Sequence, residues 1–199
     1  MEFKIGSCNV FISPLFAVMI CLILLIDATG VMLFGLFAVA IHEIGHLVFM
    51  LITRKHIEKI VFQIGGIMIK SRGFSGYNSE FLIAMGGCLF NFISFVITAG
   101  LLCNNYNEIL LIFSAANFGL MIFNLLPING LDGLDLIKIQ LLKKYRPDKV
   151  KTICNAISLV VLVISIFVCL YSVLNFGINP TIFVCLLYLI ILTLIGLKN

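Results

Sequence analysis

Apolar residues in this chain come in long blocks, and polar residues collect between them. A helix needs about 20 apolar residues, with a range of roughly 17–25, to cross the hydrocarbon of a bilayer. Six blocks approach that length: residues 10–26, 31–52, 81–103, 109–126, 153–174 and 181–197. Short polar or turn-forming stretches separate them pairwise: DATG from Asp27, NNYN from Asn104 and NFGINP from Asn175. Between the second and third blocks, residues 60–69 read as a short β segment with an exposed edge. The pattern predicts an all-α polytopic membrane protein with six transmembrane helices, a short membrane-associated β segment and loop after the second, and one domain over residues 1–199. No internal repeat or low-complexity linker interrupts it.

Composition strengthens this picture. The chain is 62% hydrophobic and 11% charged, against about 25% charged residues in an ordinary soluble domain. The mean hydropathy is +1.20. Six spans place the N-terminus, residues 53–80, residues 127–152 and the C-terminus on one side of the bilayer. All 13 Lys and Arg fall in those segments. The positive-inside rule makes that side cytoplasmic, with both termini there. A miscount of one span would scatter the cations, so the charge bias supports six. The net charge of +4 therefore marks orientation in a lipid bilayer and does not imply nucleic acid. The first nine residues hold one Lys and one Glu, and no small-residue cleavage site follows the first apolar run, so a cleavable signal is not expected. None of the seven cysteines forms a C-x-x-C pair, which argues against a cysteine zinc site or redox motif.

The second block contains the one conspicuous polar insertion, HEIGH at residues 42–46. His42 and His46 are spaced i, i+4 and share a helix face. Two imidazoles so placed can bind one Zn²⁺ through ring nitrogens. Glu43 is well placed to act on a water as the general base of an H-E-x-x-H metalloprotease without being a ligand. Ionisable groups inside a span are costly and mark function. The competing interpretation makes His42 and His46 packing residues with hydrogen bonds to neighbouring helices and Glu43 protonated. It leaves three costly groups at ligand spacing without a common cause.

A catalytic zinc usually takes three protein ligands. A metzincin-type third histidine would fall at Ile52, so that pattern is absent. His56 lies beyond the charged end of the helix and reads as interfacial. Glu58 and Glu80 sit among cations near the membrane surface. The better source is NLLPINGLDGLDL, residues 124–136. There Pro127 breaks the fourth helix, and Gly130 and Gly133 permit tight turns. Asp132 can present a carboxylate oxygen from this bend, while Asp135 competes with it or caps a helix beginning near Leu136. His46 lies eight residues before Arg54, about 12 Å below the cytoplasmic surface at 1.5 Å per residue. The bend at Pro127 falls on the same side.

With HEIGH in the second span and N124-L-L-P-x-x-x-L-D132-G after the fourth, the chain resembles the site-2 proteases, intramembrane zinc metalloproteases acting on membrane-associated substrates. The resemblance covers nearly all 199 residues. GGCLFN, residues 86–91, is similar to the family's A-G-P-x-x-N, with Cys88 in place of Pro. FQIGGIMIK, residues 62–70, is similar to its membrane-associated strand and loop. The six-span layout is most similar to the stage IV sporulation protease subgroup, which processes a pro-sigma factor. The subgroup's C-terminal CBS domain is not expected, since the chain ends at Asn199. The resemblance implies His42, His46 and Asp132 as zinc ligands and Glu43 as general base. Asn124 and Asn91 would orient substrate or ligands, or else form interhelical hydrogen bonds. Leu134 and Asp135 depart from the family's Gly and basic residue at those places.

The expected function is hydrolysis of peptide bonds near the cytoplasmic face, in a polar cavity walled by Gly65, Gly66 and the bend at Pro127. A membrane-tethered protein is the expected substrate, unwound and paired as a strand against residues 60–69. A pro-sigma factor, an anti-sigma factor and a remnant signal peptide all fit, and membrane regulatory partners are expected. The alternative is a non-proteolytic membrane metal-binding protein or zinc transporter, which would use the two histidines and Asp132 but would not need Glu43.

Overall fold

The structure is a computed structural model and describes residues 2–5, 8–27, 30–55, 57–63, 66–71, 73, 75–177 and 180–198. Among the described residues, the strands and helices follow in the order β1 (Glu2–Ile5), β2 (Cys8–Ile12), α1 (Pro14–Ile26), α2 (Val31–Ile52), β3 (Ile57–Gln63), β4 (Gly66–Ser71), α3 (Tyr77–Asn104), α4 (Glu108–Asn124), α5 (Asp132–Leu142), α6 (Pro147–Phe176) and α7 (Pro180–Lys198). They form two compact units, Met1–Ile122 and Phe123–Asn199.

The first unit carries a sheet larger than the sequence pattern suggests. Its order is β1-β2-β3-β4. β1 and β2 pair antiparallel, β2 and β3 parallel, and β3 and β4 antiparallel, with Phe11 opposite Val61 and Ile60 opposite Ile69. Parallel strands need a long crossover, and α1 with α2 supplies it. The expected span at residues 10–26 is corrected accordingly. Val10–Ile12 are strand, and the helix begins at Pro14, where a missing N–H and a fixed φ suit a first helical position. The N–H of Ser13 donates to the Phe62 carbonyl at 3.0 Å, which ties the start of α1 to β3. In the β segment expected at residues 60–69, the described residues form two antiparallel strands, β3 and β4, with β4 at an edge of the sheet. His56 and Gly65 lie outside the described residues.

α2 begins after Gly30, whose φ of 74° places it in the left-handed region. The carboxylate of Asp27 accepts from the Leu33 N–H at 3.1 Å, satisfying one of the helix's orphan donors. The helix ends where Arg54 turns left-handed at φ 53°. There Lys55 donates its N–H back to the Met50 carbonyl at 2.9 Å. The Lys55 ammonium then pairs with Glu80 in the first turn of α3, at 2.5 and 2.6 Å from its two oxygens. Further along, α2 and α3 touch backbone to backbone. A Cβ added at Gly45 would run into the Gly86 carbonyl, and one at Gly86 would meet the Gly45 carbonyl at 2.7 Å. Small residues permit such approach between membrane helices. α3 runs unbroken through Cys88.

In the second unit, Ile128, Leu131 and Leu189 form a buried cluster backed by Phe123, Leu126, Val161, Leu162 and Leu192. A second cluster joins Leu134, Val150 and Cys154. Gly133 lets the first turn of α5 rest on the chain before it, since a Cβ there would overlap the Leu125 carbonyl. α5 therefore begins at Asp132, with the extended Leu131 at its N-cap position. This is four residues before the start near Leu136 that the sequence suggests, so Asp135 lies inside the first turn and does not cap the helix.

Among the described residues, three helices are long and apolar enough to cross a membrane: Val31–Ile52, Tyr77–Asn104 and Pro147–Asn175. Pro14–Ile26, Glu108–Asn124 and Ile182–Lys198 are apolar but shorter. Large apolar side chains such as Leu25, Phe167 and Leu174 are 81%, 67% and 84% exposed. Water would penalise such exposure on so many side chains, whereas lipid would not. The helices are those of a membrane protein.

Candidate metal centre

α2 carries His42 and His46 one turn apart, His42 at 5% exposure and His46 half-buried. Their rings stand nearly perpendicular, at 80°, with centroids 4.8 Å apart. The two Nε2 atoms face each other at 3.2 Å.

The other nitrogens decide what that contact means. Nδ1 of His46 lies 2.7 Å from the Ile83 carbonyl of α3. A carbonyl only accepts, so this Nδ1 carries the proton. Nδ1 of His42 lies 3.2 Å from Asn91 Oδ1. The Asn91 amide is oriented by its own donors, since Nδ2 donates to the Ala38 carbonyl at 3.3 Å and to Asn117 Oδ1 at 3.4 Å. Asn117 in turn donates through Nδ2 to the Phe113 carbonyl at 2.9 Å. Asn91 and Asn117 are both fully buried. The Asn91 oxygen therefore faces His42, whose Nδ1 also donates.

With both Nδ1 atoms protonated, each neutral ring turns an Nε2 lone pair toward the other. Two lone pairs at this separation repel unless a cation stands between them. A divalent ion satisfies both nitrogens at once. Two nitrogens at about 2.05 Å from a tetrahedral metal lie about 3.3 Å apart, close to the separation seen here. Nδ1–H bonds to oxygen acceptors are also the usual way a protein fixes ligand tautomer and ring orientation.

Space at the nitrogens is kept by Gly87 of α3. A Cβ added there would stand 2.5 Å from His46 Nε2 and 2.6 Å from His42 Nε2. A side chain at position 87 would occupy the face that an ion needs. The histidine pair, its fixed tautomers and this glycine fit a metal.

Glu43 follows His42 on α2 and is half-buried; Asn124 is the last residue of α4, also half-buried. Asp132 opens α5 and is partly buried, whereas Asp135 is exposed. Among the described residues, His42, His46 and Asp132 form a group that could hold a metal ion, each offering one ligand atom. Asp135 is not part of it. Sequence reasoning missed the Ile83 carbonyl, Asn117 and the role of Gly87. A backbone acceptor leaves no sequence signal, but Gly87 was visible as half of a Gly-Gly pair in an apolar helix.

No family model matches the sequence, and no curated protein matches it. Among solved structures, the site-2 protease from Methanocaldococcus jannaschii matches with a TM-score of 0.69, covering 98% of this chain and 94% of that one at 21% identity. At that identity the likeness establishes the fold, and the chain has the fold of that protease.

Proposed function

We propose that the chain is an intramembrane metalloprotease of the site-2 type, holding zinc through His42, His46 and Asp132. The observation that carries this is the pair of Nε2 atoms at 3.2 Å, each aimed by a Nδ1 donor bond at the place a cation would fill. Two imidazoles and one carboxylate form a set that suits zinc and leaves a position open. When bound, the zinc would acidify a water and polarise the scissile carbonyl.

The chain's own residues do the rest. Asn91 and the Ile83 carbonyl hold the two rings in their ligating tautomer. Glu43, one residue from His42 on the same helix, accepts the proton from the attacking water on a carboxylate oxygen and returns it to the leaving amine nitrogen. Asn124 orients substrate, as the resemblance to the site-2 proteases implies. The H-E-x-x-H pattern assigns Glu43 this role, and a metal-binding or transport protein would have no use for it.

In this reading all six apolar helices cross the membrane, with the 13 Lys and Arg and both termini on the cytoplasmic side. The substrate is a membrane-tethered protein. The edge strand β4 offers its outward backbone groups to a substrate segment unwound into a strand. The similarity to the stage IV sporulation proteases favours a pro-sigma factor as that substrate, with membrane partners regulating the cleavage.

The test is co-expression of wild type and Glu43→Gln with membrane-tethered candidate substrates, read by product mass. The proposal predicts a defined product from wild type only, with metal retained by the variant. Cleavage that survives in Glu43→Gln, or transmembrane metal flux without any cleavage, contradicts it.

A further inference from the structure

α6 and α7 contribute no residue to the proposed donor set, yet they grip the loop that leads into Asp132. The backbone N–H of Asn129 donates to Ser158 Oγ at 3.0 Å, and its side-chain Nδ2 donates to Asn155 Oδ1 at 3.2 Å. Asn155 and Ser158 are three apart on α6 and share a face, and Ser158 is fully buried. From α7, Gly196 closes the other side: a Cβ there would overlap the Asn129 side chain at its Cβ, Cγ and Nδ2. The Asn129 amide is thus bonded to one helix and leaves room for only a glycine on the next.

The position of this clamp gives it a consequence. Gly130 follows at φ 87°, the residue type with the widest conformational freedom. Leu131 is then extended, and Asp132 is the first residue of α5. Ile128 anchors the loop on the near side, fully buried in the apolar cluster. Its N–H donates to the Leu126 carbonyl at 2.8 Å, and its carbonyl accepts from Leu131 at 3.0 Å. Apolar packing holds Ile128 in depth. The directional bonds that tie the turn to α6 come from Asn129.

We propose that Asn129 is a positioning residue, fastened by Asn155 and Ser158 and enclosed by Gly196, which fixes where the Asp132 carboxylate stands as a metal ligand. The proposal rests on Asp132 being the third ligand, as argued above. Losing such a support typically lowers metal affinity 10–100-fold.

The test uses the full chain in detergent, with zinc affinity measured by competition with a chromophoric chelator and the melting temperature of the metal-free protein measured alongside. Asn129→Ala is expected to weaken zinc binding at least about tenfold. Gly196→Ala, which displaces the amide, should do the same. Asn155→Leu should also weaken binding, while Asn155→Asp, which keeps the acceptor, should restore it. The decisive arm is a double-mutant cycle: on an Asp132→Ala background, Asn129→Ala should cause no further loss, because it acts through Asp132. Wild-type affinity in Asn129→Ala, or an equal loss on both backgrounds, overturns the proposal and leaves Asn129 a purely structural residue. If Asn129→Ala does not fold, Asn155→Leu and Gly196→Ala carry the same cycle. If His42→Ala also leaves zinc binding unchanged, the assignment of the metal site itself fails, which is a separate result.

Discussion

Gly87 on α3 sits against His46 on α2 so closely that a single added carbon would stand 2.5 Å from the imidazole Nε2. The absence of a side chain at one position is thus what leaves the nitrogens of two others accessible. Gly87→Ala should weaken zinc binding at least about tenfold, with helical content retained. Chelator competition and circular dichroism on the same preparation check this.

Asn91 supports the His42 ring from a fully buried position, with its oxygen on His42 Nδ1 and its amide on Ala38 and Asn117. Asn91→Leu leaves the His42 N–H, the Ala38 carbonyl and Asn117 Oδ1 without these bonds. Each such loss costs about 1–3 kcal/mol, and the freed ring no longer has a fixed tautomer. Both the melting temperature and the zinc affinity should fall. Asn117→Leu should lower the melting temperature while affecting zinc affinity less, since it touches His42 only through Asn91.

The contact between Gly45 and Gly86 makes a prediction about stability alone. Each glycine faces the other's carbonyl, so Gly45→Leu or Gly86→Leu must drive α2 and α3 apart. Overpacking costs about 1–3 kcal/mol even where side chains can shift, and backbone cannot shift as easily. Thermal unfolding in detergent should move down by several degrees or the protein should fail to accumulate.

Much of this was legible in the sequence, and the reasons are physical. Residues 31–52 read as a helix and are one because an unbroken apolar run in a membrane has no other way to satisfy its backbone. HEIGH was legible because helical spacing puts His42 and His46 on one face. The N-terminal strands were not legible. Val10–Ile12 are as apolar as the helix that follows, and only Pro14 marks the change. The parallel pairing of β2 with β3 joins residues about fifty positions apart, a non-local fact no local pattern carries. The tautomers of the two histidines were also hidden, since one depends on a main-chain carbonyl and the other on an asparagine 49 residues away. Where α5 begins was not legible either, since it depends on the fit of Gly133 against Leu125; the proposed preference for Asp132 over Asp135 leans on that start.

That choice is itself testable. Asp132→Ala should remove most zinc binding and all cleavage. Asp135→Asn, at an exposed position outside the donor group, should leave both near wild type. Equal losses in the two variants would count against the assignment.

The edge strand gives a fifth expectation. Successive residues of a strand direct their backbone groups to opposite neighbours. Of Ile67 and Met68, one faces β3 and the other faces away from it. Proline at the outward position removes a donor without breaking the hairpin. Cleavage should fall at least about tenfold in that variant while zinc affinity stays put. Unchanged cleavage would argue against substrate pairing on β4.

The central claim is that His42 and His46 share one divalent ion through Nε2. The most direct measurement is the zinc content of the purified full chain, with X-ray absorption at the zinc edge to identify its neighbours. The account predicts about one zinc per chain with two imidazole nitrogens at about 2.0–2.1 Å, lost in His42→Ala and in His46→Ala. A chain that takes up no metal, or one that keeps its zinc and spectrum unchanged when either histidine is removed, would contradict it.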